Sequence, residues 1–127
     1  MKTVLIDTNF FIECVKNKID TEQELRRILP FNFDIAIVDR TIEELETIIG
    51  RKGEAGRAAK IVKIILHAKK IKIIPTQGEH TDDILLKKSS EDIIIATMDK
   101  ELKQRLKKKG RPCIIIRAKK KIEIQHI

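Results

Sequence analysis

Five short apolar runs, rich in β-branched residues, recur along the chain and alternate with stretches whose apolar positions fall at helical spacing. The runs are Thr3–Ile6, Asp34–Val38, Ile71–Ile74, Asp92–Ala96 and Pro112–Ile116. They are too short for helices and apolar at consecutive positions, as strands buried on both faces of a parallel sheet must be. Between them the pattern predicts helices over Phe10–Lys16, Asp20–Leu29, Asp39–Ile49, Arg57–Lys70, Thr81–Lys87 and Lys100–Lys109. Pro30 closes the second of these and Gly110 the last. Ile42, Leu45, Ile48 and Ile49 form one buried face, and Ala58, Ile61, Ile64, Ile65 and Ala68 another. Gly50 to Gly56, with three glycines, reads as a mobile loop, and Thr76 to His80 as a turn. The alternation in Ile122–Gln125 permits a final edge strand.

Repeated strand and helix units of this kind argue for an α/β fold, a mostly parallel central sheet covered by helices on both faces. With 127 residues the chain is expected to form a single domain, 1–127, with a basic tail from about 117.

Composition narrows the chemistry. Cys14 and Cys113 are far apart, without a Cys-x-x-Cys pair or a neighbouring His, so they read as buried thiols of a reducing, cytoplasmic protein. No apolar stretch approaches membrane-spanning length, and no membrane partner is expected. His67 and His80 lack ligand-spaced partners and read as surface or packing residues, and His126, in the tail, says little. The net charge of +8 is uneven: eleven Lys and Arg from Lys100 onward face only Glu101 and Glu123. That concentration suits a polyanion, and nucleic acid before a membrane surface. Without Trp or Tyr, contacts to backbone phosphates are favoured over base stacking.

The acids carry the sharper signal. Asp7 ends the first strand, Glu44 lies in the first turn of the helix after the second, Asp83 in the helix after the third, and Asp99 follows the fourth. All four would face one edge of a parallel sheet, where open α/β sheets bind ligands. Taken singly, each has an ordinary use as a helix cap or dipole partner. Gathered together they would repel unless a cation sat among them, and an all-oxygen set suits Mg²⁺ or Mn²⁺. Basic residues beside such a site point to phosphodiester cleavage.

In order, Ile6-Asp7-Thr8-Asn9, Glu44-Leu45, Thr81-Asp82-Asp83 and Ala96-Thr97-Met98-Asp99-Lys100-Glu101-Leu102-Lys103 resemble the motifs of the PIN-domain ribonucleases across almost the whole chain. The resemblance implies a PIN-like, Rossmann-like three-layer α/β/α sandwich and a divalent-metal-dependent endoribonuclease leaving 5′-phosphate and 3′-hydroxyl ends. It carries metal binding onto Asp7, Glu44, Asp83 and Asp99, with Asn9, Thr97 and Asp82 as supporting polar groups. Asp82 and Asp83 project about 100° apart on a helix; Asp83 is preferred because Ile84-Leu85-Leu86 follows it as the family's apolar triplet would. Met98 stands where the family often has a small polar residue. Lys100, Lys103, Arg105 and Lys107 are the expected RNA contacts.

The run Asp99-Lys100-Glu101-Leu102-Lys103 looks most similar to the branch linked to small-subunit ribosomal RNA processing, while VapC-type toxins share the same acids. A homodimer, an antitoxin or a ribosome-assembly factor are therefore open as protein partners. A non-catalytic RNA-binding factor on the same fold is the main alternative. A phosphorylated receiver domain fits poorly, because Ile73-Ile74-Pro75 stands where its aspartate should be.

Overall fold

The computed structural model describes residues 1–77 and 80–125, so His126 and the Gly78-Glu79 part of the expected turn lie outside the described residues. Six strands form one sheet: β1 (Lys2–Ile6), β2 (Phe33–Val38), β3 (Lys72–Ile74), β4 (Ile93–Ala96), β5 (Cys113–Arg117) and β6 (Lys121–Gln125). Their order is β3-β2-β1-β4-β5-β6, parallel throughout except for the β5–β6 pair. The helices are α1 (Thr8–Lys16), α2 (Thr21–Ile28), α3 (Asp39–Ile49), α4 (Glu54–Ala68), α5 (Thr81–Lys88) and α6 (Lys100–Lys108). The expected basic tail is a turn followed by β6.

Successive residues of a strand point to opposite faces. In β1, Val4 and Ile6 enter a core with Phe10, Phe11, Leu25, Leu45 and Val62 of α1 to α4. Leu5 enters the other, with Ile84, Leu85, Leu102 and Leu106 of α5 and α6. Helices thus cover both faces of the sheet, making three layers. Among the described residues no helix is long and apolar enough to cross a membrane.

Two expectations are corrected. Only residues 50–53 connect α3 to α4, because α4 begins at Glu54 and takes Gly56 into its first turn. A Cβ on Gly56 would fall on the Arg51 carbonyl oxygen, well inside contact distance, so the bare glycine lets the helix fold back tightly. The buried face of α4 is also rotated from the expected one. Gly56, Ala58, Ala59, Val62 and Leu66 pack inward, while Ile61 and Ile64 are 46% and 65% exposed. Small residues win the inner face because they permit close approach to α1 and α3.

At the far edge, α2 takes hold of β6. The outward-facing Ile122 N–H donates to Glu24 Oε1 at 3.0 Å, and Arg27 Nη2 donates to the Ile122 carbonyl at 2.9 Å. Glu24 and Arg27 are themselves paired at 2.8 Å.

Candidate active site

Chain order places the acids. From β1 the sheet grows one way through β2 and β3 and the other way through β4, β5 and β6, so the β1–β4 boundary is a topological switch point. Asp7 leaves β1 there, its N–H bonded to the Ala96 carbonyl at the end of β4 at 2.9 Å. The β4–α6 connection supplies Thr97 and Asp99 beside it.

Asp7 precedes α1 in extended conformation, with no side-chain cap bond. The sequence allowed a capping role for it, and the structure leaves its carboxylate to other uses. Asp7 as a whole is only 6% exposed, and Thr97 Oγ1 donates to its Oδ2 at 2.8 Å. The same hydroxyl accepts from the Asp99 N–H at 3.1 Å, tying the two acids through one buried oxygen. Burial above all lifts the Asp7 carboxyl from 3.8 to about 6; the Thr97 bond works against the rise, and the charges of Asp82 and Glu44 add to it.

Asp99 caps α6 through Oδ1, which accepts from Leu102 N at 2.8 Å, and this leaves its second oxygen outside the cap. Glu44 is held from two sides: Thr8 Oγ1 lies 3.1 Å and Thr81 Oγ1 2.9 Å from its Oε1. Thr8 also reaches the buried Thr41 hydroxyl at 3.1 Å. Threonines 8, 41 and 81 were not singled out as supporting groups from sequence, although Thr8 and Thr81 belong to the quoted motifs. Each reads in one dimension as an ordinary cap.

The two aspartates of α5 part company. Asp83, the expected third acid, turns toward α6 and accepts from Arg105 Nη2 at 2.9 Å. Asp82 turns toward the other acids: burial first, then the charges of Asp99, Glu101 and Glu44, raise its pKa, and Arg105 opposes the rise. Asp7, Glu44, Asp82 and Asp99 thus lie near enough at this edge of the sheet for their charges to act on one another, with Asp83 and the expected RNA contact Arg105 paired beside them. Asn9 is exposed in the first turn of α1. Met98 packs against both cores, and its Sδ accepts from Ile116 N at 3.2 Å.

The open side of the cluster is a cleft of about 390 Å³ lined by Arg40, Glu44, His80, Thr81, Asp82, Asp83 and Arg105. His80, read from sequence as a surface residue, stands at this cleft immediately before α5. Among the described residues no three carboxylates, imidazoles or thiols stand close enough to grip one ion together. That arrangement still fits Mg²⁺, which takes one or two carboxylates directly and keeps several waters. Burial leaves the Asp7 carboxylate poorly solvated, a cost that a bound cation would offset.

A family model described as a PIN like domain matches residues 4–119. Over 127 aligned positions the chain is 34% identical to Ribonuclease VapC4 of Methanocaldococcus jannaschii, covering 98% of this chain and 97% of that protein. It is 28% identical to Ribonuclease VapC9 of Archaeoglobus fulgidus, covering 98% and 90%. Its structure is similar to that of the PIN domain endonuclease Utp24, with TM-score 0.81 and 28% identity over 98% of this chain and 92% of that one. A domain of a functionally unknown M. jannaschii protein shares the fold alone, at TM-score 0.62 and 17% identity, covering 100% of this chain and 99% of that one. Match length, identity and architecture agree, and the chain belongs to the PIN-like domain family.

Proposed function

We propose that this protein is a Mg²⁺- or Mn²⁺-dependent endoribonuclease that hydrolyses RNA phosphodiester bonds, leaving 5′-phosphate and 3′-hydroxyl ends. The observation carrying this reading is the single Thr97 hydroxyl that serves both Asp7 and Asp99 at the sheet's switch point. Asp7, Glu44, Asp82 and Asp99 are the groups that would hold the ion, with Asp82 in the place first given to Asp83. When bound, such an ion activates a water and steadies charge on the leaving oxygen.

The chain's own residues do the positioning. Thr97 fixes the Asp7 carboxylate, and Thr8 with Thr81 fixes Glu44, so the acids keep their places when negative substrate approaches. Asp83 holds the Arg105 guanidinium at the cleft's edge, where a scissile phosphate would meet it. Lys100, Lys103 and Lys107 follow Asp99 along α6 and supply further contacts to the RNA backbone.

The relatives named VapC ribonucleases favour a toxin setting, with an antitoxin as partner and the cytoplasm as its place. The motif run from Asp99 to Lys103 favours ribosomal RNA processing instead, alongside assembly factors. Purified protein incubated with single-stranded RNA and Mn²⁺ tests the activity: cleavage that EDTA and Asp7→Asn both abolish supports it. RNA affinity without cleavage under any divalent ion would leave the non-catalytic alternative. Growth arrest on expression, relieved by a neighbouring gene, separates the toxin setting from the ribosomal one.

A further inference from the structure

α6 presents its cations unevenly. On the side facing α5, Arg105 is matched by Asp83, and Glu101 stands near Asp82. On the other side Lys100, Lys103, Gln104 and Lys107 fall at i, i+3, i+4 and i+7, one stripe of the helix. That stripe is one wall of a cleft of about 270 Å³. The turn into β5 contributes Arg111, and the cross-strand pair Cys113–Gln125 completes the lining.

Among the described residues no carboxylate lines this cleft. Lys100, Lys103, Lys107 and Arg111 make no ion pair among the described residues, whereas Arg117 and Lys121 nearby are both taken by Glu123. The buried Arg111 Nε finds no acceptor among the described residues. Arg111 lines the cleft without a carboxylate partner among the described residues, and its terminal guanidinium N–H groups are the donors an anion there would meet.

We propose that this cleft between α6 and β6 is a second phosphate-binding site, which holds the RNA backbone to one side of the bond cut at the acidic cluster. The inference rests on the nuclease reading above. Three features favour a strand over a single small anion. Lys100 to Lys107 spans about 10 Å of helix, longer than one phosphate group. The ladder begins beside Asp99, which caps the same helix, so a chain held along it runs directly into the acids. Its members are mostly lysines on flexible stems, and among the described residues no aromatic lines the cleft, which suits backbone phosphates without base stacking.

The test is binding of a labelled single-stranded RNA dodecamer to the whole chain in EDTA, by fluorescence anisotropy across a salt series. Lys107→Glu and Arg111→Met are each expected to weaken binding at least fivefold. The slope of log affinity against log salt should become shallower by about 0.7 for each phosphate that the variant no longer neutralises. Lys60→Glu makes the same charge change on exposed α4, across the sheet, and should cost far less. Lys107 is exposed, so its variant keeps the test valid if Arg111→Met misfolds. Affinity and slope unchanged in Lys107→Glu, or changed no more than in Lys60→Glu, would overturn the proposal even if the wild type cleaves RNA with Mn²⁺. Binding weakened as expected in a protein that cuts no RNA would support the cleft as an RNA site and overturn the nuclease reading instead.

Discussion

Thr97 and Asp7 lie ninety positions apart in the chain, yet the threonine hydroxyl donates to the carboxylate at 2.8 Å while accepting from the Asp99 backbone. The hydroxyl favours the charged form of Asp7, so its loss moves that carboxyl's pKa higher still. In Thr97→Ala, Mn²⁺ binding followed by titration calorimetry should therefore weaken about tenfold at neutral pH and fail at a higher pH than in wild type. Thr97→Ser keeps the hydroxyl and should restore both.

Asp82 and Asp83 offer a sharper division. Asp82→Asn removes a charge that faces Glu44 and Asp99, and RNA cleavage should fall about a hundredfold or more. Asp83→Asn loosens Arg105 and should cost about tenfold at most. Equal losses, or the reverse order, would return the third acidic position to Asp83.

A buried carboxyl whose folded pKa is raised favours its protonated form, so it opposes folding once it is charged. Between 3.8 and about 6 the folded protein holds a proton on Asp7 that the unfolded chain has lost. Without metal, this residue's contribution therefore declines as pH rises through that window, by roughly 3 kcal/mol at most. Asp7→Asn should accordingly melt higher than wild type at pH 7.5 in EDTA, with the advantage gone near pH 4. Adding Mn²⁺ should raise the wild-type melting temperature and leave the variant unmoved.

Gly56 sits where α4 doubles back over the end of α3, its missing Cβ directed at the Arg51 carbonyl. Gly56→Ala should lower stability by about 1–3 kcal/mol despite alanine's better helix propensity. Denaturant unfolding at constant m-value would register the loss.

The β5–β6 turn puts Ala118 and Lys119 at φ 55° and 54°, with Lys120 N bonded to the Arg117 carbonyl at 3.1 Å. Two successive left-handed residues with side chains are strained, and hairpin turns of this form prefer glycine. Lys119→Gly should raise stability by about 1 kcal/mol in thermal unfolding.

Much of this architecture was legible because a parallel sheet leaves a coarse imprint. Strands such as Val4-Leu5-Ile6 and Ile93-Ile94-Ile95 are apolar on both faces, and they alternate with helices, two of which open on the capping residues Asp20 and Asp99. The meeting of Asp7 with Asp99 also followed, since parallel strands bring their ends to one edge. Rotation about a helix axis was harder to read. Ile61 and Ile64 looked like core by hydrophobicity, but helix spacing is set by the small residues Gly56 and Ala59. Likewise, choosing between Asp82 and Asp83 needed the position of Arg105, a residue more than twenty positions away on another helix. Periodicity records which residues share a stripe; it does not record what faces that stripe.

The grip of Glu24 and Arg27 on Ile122 reaches beyond local stability. A sheet's outermost strand ordinarily advertises free amides to any extended peptide, and here the amide and carbonyl of its second residue, Ile122, have already been answered from within. Recruitment of foreign chains, whether in fibrils or in edge-to-edge association, is therefore deflected from the β6 border. The opposite border offers only the three residues of β3, too brief a template to hold a newcomer. This design lets copies of a strongly lysine-rich protein crowd together without their sheets zipping into one another.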